Sequence, residues 1–286
     1  MHRTAVCVLF AALLAAPAGC RKPVAAVYAP SVFVVPAAIP DDPLDEAWDA
    51  APVHVATLLT QDMVEPRSMS LTTEKVRVCA LTDGREIAFR LQWADGTNDD
   101  RAVPARFADA CAVQLPAKVE PSLPAPQMGE PGRPVEIVYW NAAWQATVDG
   151  RGDTIRDLYP NASVDHYPFE ARSLESGSPE QIEMAARYAP ARALNNAMAG
   201  PRTTPVQDLT AEGPGTLSPR PAAGSTGRGR RTADGWAVVI RRKLPQGFSA
   251  QNETQVAFAV WEGGHQEVGA RKMRTAWIPL AVQEKP

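Results

Sequence analysis

The sequence predicts a mainly β protein, an antiparallel β-sandwich with one long irregular excursion and a few short helices. Three observations lead there. Twenty-seven prolines and nineteen glycines among 286 residues disfavour a helical bundle and suit many strands joined by turns. Several stretches alternate apolar and polar residues with the period of two that belongs to strands. Helical patterns do not alternate with these stretches, as a parallel α/β sheet would require.

A first strand is expected around 31–36. The turn residues of Pro40-Asp41-Asp42-Pro43 then lead into a short acidic helical start, with Trp48 as a core anchor. Lys75–Leu81 reads as a strand, Asp83-Gly84 as a hairpin turn. Glu86–Trp93 follows, setting Ile87, Phe89, Leu91 and Trp93 against Ala88, Arg90 and Gln92. Further strands are expected at Phe107–Leu115 and Pro134–Trp144. From 150 to 230 the pattern weakens to a long excursion with one short helix at Pro179–Tyr188. Strands return at Gly235–Arg242 and Thr254–Glu262, and Lys272–Val282 closes the sheet.

The start of the chain reads as an export signal over residues 1–19. Arg3 precedes a short apolar run from Ala5 to Ala18, too short for the roughly 20 apolar residues of a spanning helix. Pro17-Ala18-Gly19-Cys20 resembles a lipoprotein cleavage box, in which Cys20 is lipidated. Pro17 departs from the aliphatic residue usual there, and simple cleavage near an unmodified Cys20 is the other reading. Residues 20–35 are then a lipid-anchored linker and 36–286 the folded domain, in the periplasm. A formal charge of −3 gives no reason to expect nucleic acid as a partner. Cys79 and Cys111 fall in strands expected to be neighbours, where they pair in an oxidising compartment or stay as buried thiols. The absence of C-x-x-C-H excludes covalent c-type haem attachment. No nucleophilic triad or paired-carboxylate pattern stands out, so the chain is not expected to be an enzyme by itself.

Four stretches together carry a resemblance. They are Leu44-Asp45-Glu46-Ala47-Trp48; Glu86 to Asp95 with Arg106 to Pro116; Gln127-Met128-Gly129 with Pro134 to Trp144; and Phe258 to Gly263 with Gly269 to Trp277. Their order resembles the haem-b-binding gamma subunit of ethylbenzene dehydrogenase and its relatives, the dimethylsulfide dehydrogenase, chlorate reductase and selenate reductase type. The resemblance implies a sandwich that holds haem b through one Met and one Lys, here Met128 and Lys272. It also implies an electron-transfer subunit working with molybdenum-cofactor and iron–sulfur subunits of an oxidoreductase, with a soluble cytochrome c as a further candidate partner.

The chemistry is coherent. A thioether is a soft neutral ligand that favours ferrous iron. A lysine ligates only as the free amine, so burial and iron must overcome its ordinary pKa of about 10.4. Two protein ligands close the iron to other molecules, which suits electron transfer. Each residue also has a plainer reading: Met128 as a gap-filling methionine, Lys272 as a solvated charge beside Arg271 and Arg274. Lys243 competes as the lysine, and His54, His166 and His265 lack ligand spacing. The alternative function is a carbohydrate-binding sandwich module on an exported lipoprotein, with Trp140, Trp144 or Trp261 exposed and stacking on sugars.

Overall fold

The structure is a computed structural model describing residues 31–101, 103–152, 154–163, 178–188, 190–194, 202–221 and 223–283. The export signal, Cys20, most of the linker and His166 lie outside these residues.

The strands run in chain order as β1 (Val32–Pro36), β2 (His54–Thr57), β3 (Leu59–Thr60), β4 (Lys75–Thr82), β5 (Glu86–Ala94), β6 (Ala110–Pro116) and β7 (Val135–Asn141). They continue as β8 (Val206–Ala211), β9 (Ser218–Pro219), β10 (Thr226–Arg231), β11 (Gly235–Lys243), β12 (Thr254–Trp261), β13 (Met273–Arg274) and β14 (Ile278–Val282). The helices are α1 (Ala142–Val148), α2 (Ile155–Leu158), α3 (Pro179–Tyr188) and α4 (Pro190–Ala193), with a 3-10 turn at Glu46–Ala50. Asp45 caps that turn by accepting from the Ala47 amide, and Trp48 is fully buried, as expected.

The strands are hydrogen-bonded in the order β10-β11-β5-β4-β1-β14-β12-β6-β7-β8-β9. The path folds over at β12. Its first residues, Thr254–Val256, pair with β14, and Ala257–Trp261 pair with β6. One strand thus serves both layers, the usual device for turning a sheet onto itself. The inner faces meet in a core containing Phe89 and Phe258, whose rings pack edge to face at 6.0 Å. Trp140 packs likewise on Trp236 at 5.2 Å and Trp93 at 6.4 Å. Room for Trp140 comes from Gly229 on β10, where an added Cβ would sit 2.1 Å from the indole.

Several expectations need correction. The sandwich is mixed rather than wholly antiparallel, because β1 pairs in parallel with both β4 and β14. The stretch read as an irregular excursion contains β8, β9 and β10. Its glycine and arginine content hid β10, where the glycines admit Trp140 and exposed arginines guard an edge strand. The strand expected to reach Trp144 ends at Asn141, whose side chain accepts from the Ala143 and Trp144 amides and starts α1. Cys79 and Cys111 are both buried free thiols, on strands that are not neighbours. Cys111 faces the central core, whereas Cys79 belongs to a separate cluster with Trp48 and Leu81.

At one end of the sandwich sits Asp109, which is fully buried. Its carboxylate accepts from the backbone amides of Asp99 and Gly263 and from Trp236 Nε1, each at 2.9 Å. Its main chain bonds Asp99 and Ala142. Burial pushes its pKa up to about 7, and the nearby Asp95 charge adds to the rise, against the pull of the three donors. The folded value therefore lies above the unfolded value of about 3.9. The folded state binds the extra proton between these values, so this contribution to stability is complete near pH 4 and declines as pH rises to about 7. Urea unfolding across this range should show that decline, and Asp95→Asn should flatten it. A wild-type stability that rises steadily from pH 4 to pH 7 with no Asp95 dependence would refute the assignment.

Candidate functional site

The outer face of β6, β7, β8 and β12 is apolar where a sandwich face in water is normally polar. The register explains how. Trp261 stands opposite Ala110, and Ala259 opposite Ala112, which in turn faces Tyr139. Ile137 stands opposite Leu209, and Val135 opposite Ala211. Successive rows share this face because side chains alternate along a strand. The small side chains of Ala110, Ala112 and Ala259 make a low floor, with Tyr139 and Trp261 as taller walls in one apolar cluster. Tyr139 packs edge to face on Trp261 at 5.2 Å and on Trp144 at 5.4 Å. Burial pushes its hydroxyl up to about 12.

Met128 packs on this cluster and is half-buried. The loop that carries it is pinned down from the floor side. Gln114 Nε2 donates to the Pro126 carbonyl at 2.9 Å, and Trp277 Nε1 to the Pro124 carbonyl at 2.8 Å. The Gly213 amide donates to the Met128 carbonyl at 2.8 Å. Met128 itself has a φ of 67°, a left-handed conformation that costs a side-chain-bearing residue about 1–2 kcal/mol. Gly129 follows at φ 81°, where a Cβ would lie 2.9 Å from the Ala211 carbonyl oxygen. A strained methionine on an apolar sheet face is a common sign of a functional position.

Lys272 reaches the same cluster from the other side in sequence. Its Nζ lies 5.1 Å from the centroid of the Trp261 ring. Burial lowers its pKa to about 8, and the neighbouring Arg274 charge lowers it further. Arg274 is paired with Ala259 across β13 and β12, which places it on the floor side of β13, while Met273 turns into the core. At the far end of the aromatic row, Arg202 Cζ lies 3.4 Å from the Trp144 ring centroid.

The structure thus brings the two sequence-predicted residues, Met128 and Lys272, to one apolar cluster. Lys243 instead lies exposed at the end of β11, His54 is on β2, and His265 Nδ1 meets Glu262 at 2.9 Å. The expectation of exposed, sugar-stacking tryptophans fails. Trp140 is fully buried because strand alternation turns it inward, Trp261 is buried under Lys272, and Arg202 covers Trp144. A hollow of about 610 Å³ lined by Pro36, Leu244, Phe248 and Val282, and a smaller one of about 100 Å³ beside Pro124, include neither Met128 nor Lys272. Sequence reasoning missed the floor and Arg274. The alternating Ala110, Ala112 and Ala257, Ala259 were the available signal.

These residues fit a flat, apolar, iron-bearing group. The floor is largely apolar, with Gln114 turned to the Pro126 carbonyl, the donors are a thioether and an amine whose pKa burial lowers to about 8, and positive charge stands at its rim. Among the described residues no cluster of three or more His, Cys, Asp or Glu side chains is placed to hold a bare metal ion.

The fold is a β-sandwich with one largely apolar outer face, to which both Met128 and Lys272 come. The sequence profile of the ethylbenzene dehydrogenase family matches residues 45–273, and the chain belongs to that family. A protein of Haloferax mediterranei described as a respiratory nitrate reductase haem subunit is 24% identical over 245 residues, covering 83% of this chain and 67% of its own. The chlorate reductase subunit gamma of Ideonella dechloratans is 25% identical over 250 residues, covering 83% and 78%. A family 9 carbohydrate-binding module from Caldicellulosiruptor kristjanssonii superposes with a TM-score of 0.43 at 8% identity, over 89% of this chain and 94% of its own.

In the haem-free chain the Lys272 amine should titrate near 8, and Arg274→Gln should raise that value by removing a repelling charge. Because the folded value lies below the unfolded one of about 10.4, stability from this group should rise with pH between them. NMR titration of the labelled lysine checks this. A Lys272 amine still charged at pH 10 would overturn the description of the site.

Proposed function

We propose that the chain is a b-type haem electron-transfer subunit of an exported molybdenum oxidoreductase, with Met128 and Lys272 as the axial ligands. The observation that carries the reading is that both residues, 144 positions apart in sequence, converge on one apolar sheet face. Family membership and relatives named as a haem subunit and a gamma subunit of reductases support it. When bound, the haem supplies one-electron exchange. The chain's own part is to hold the ring on the alanine floor, to present a sulfur and a neutral amine, and to keep water out with Tyr139, Trp261 and Trp277. The partner is an oxidoreductase complex carrying the molybdenum cofactor and iron–sulfur clusters, with a soluble cytochrome c as a second route for electrons. The substrate chemistry of that complex sets the direction of flow. Export to the periplasm and lipidation of Cys20 belong to the same reading.

Expressed with its leader, the protein should show a reduced b-type spectrum that acid acetone removes. Met128→Ala should open one coordination position and lower the potential, since loss of the thioether removes a preference for ferrous iron. Lys272→Ala should admit carbon monoxide or lose haem, and Lys243→Ala should leave the spectrum unchanged. A folded colourless protein overturns the haem reading; variants of Met128 and Lys272 that keep the wild-type spectrum overturn the ligands. In a lipid-labelling experiment, palmitate should enter the wild type and not Cys20→Ser. Unlabelled wild type released as a soluble periplasmic protein rejects the anchor.

A further inference from the structure

We infer that Arg274 is the carboxylate-binding residue of this site, gripping a propionate of the group that lies on the alanine floor; the inference rests on the haem reading above.

The register places Arg274 beside Ala259, in the row that continues through Ala112 to Tyr139. Its side chain is mostly buried, at 15% exposure, and its Nε is buried with no hydrogen-bond partner among the described residues. A buried donor left unmade is costly, and a charged one more so. The acid facing it is Asp62, 3.8 Å from Nη2 and 57% exposed, a loose pair in water that compensates little. Lys272 stands on the same side and, when protonated, is a second cation beside Arg274. Once a lysine ligates iron it is neutral, so Arg274 remains as the fixed positive charge at the rim of the floor. A guanidinium fork matches a carboxylate in shape and charge. A porphyrin that is apolar over its face and carries carboxylates on one edge meets both features at once. Nothing in the apolar floor itself would distinguish one edge of the ring from another, so Arg274 also sets the ring's orientation.

The test compares two probes on haem-depleted full-length chain: haem, and iron protoporphyrin IX dimethyl ester, which lacks the carboxylate charges. Arg274→Gln should weaken haem binding about tenfold or more, the worth of one charge-assisted bond, and leave the ester's affinity unchanged. Asp62→Asn should act oppositely, tightening haem relative to the ester by releasing Arg274 from its competitor. Asp62 is exposed, so this variant keeps the test alive if Arg274→Gln fails to fold. Equal losses for both probes in Arg274→Gln, or a haem-to-ester ratio that neither variant moves, overturn the assignment while leaving the haem reading intact. Wild-type protein that takes up neither probe overturns both.

Discussion

Asp109 is the point through which both layers of the sandwich are tied at the end where β6 begins. Its side chain accepts from the turn after β5, from the turn after β12 and from the indole of Trp236 on β11. Its main-chain carbonyl receives the first amide of α1. These elements belong to both sheets. A buried carboxylate is expensive unless donors surround it, and two of its donors, the Gly263 amide and Trp236 Nε1, are in buried bonds and need an acceptor in return. Removing Asp109 would therefore leave all three donors without this acceptor. Because β6 starts at the next residue, Asp109 also fixes where Ala110 and Ala112 fall in the register, and so fixes the floor of the site.

The floor departs from what a water-facing sheet would carry. Alanines at successive outward positions give up packing and polarity together, and Tyr139, Trp144 and Trp261 stand beside them as an apolar rim. The floor alanines Ala110 and Ala112 are nonetheless buried, beneath the Met128 loop and the aromatic side chains that pack on this face. The structure accepts a second cost nearby in the left-handed backbone of Met128. Three hydrogen bonds from Gln114, Trp277 and Gly213 to the surrounding loop hold that conformation. Backbone strain at Met128 and a lysine whose pKa burial lowers thus occur on the same apolar face.

Electrostatics complete the arrangement. Lysine is a poor ligand in water because its amine is protonated. Burial first, and then repulsion from Arg274, push Lys272 toward the neutral form. Two cations that look alike in sequence thus come to different surroundings, Lys272 against the Trp261 ring and Arg274 3.8 Å from Asp62.

Much of this was legible in the amino-acid order. Period-two alternation gave β4, β5, β11 and β12, and Trp48 and the Asp83-Gly84 turn read correctly, because these features are local and the apolar face alone decides them. Met128 and Lys272 were legible only through resemblance; nothing in their own neighbours marks them. The strand β10 was missed because Gly227 and Gly229 answer to the bulk of Val206 and Trp140, which are distant in sequence. The inward turn of Trp140, the fates of Cys79 and Cys111, and the parallel insertion of β1 between β4 and β14 likewise depended on pairings across the chain. The residues themselves determined which segments become strands and which side chains carry suitable chemistry. Only the tertiary structure decided which faces meet, because register and layer order are set by contacts between segments far apart, and those contacts put a thioether, an amine and an arginine around one apolar floor.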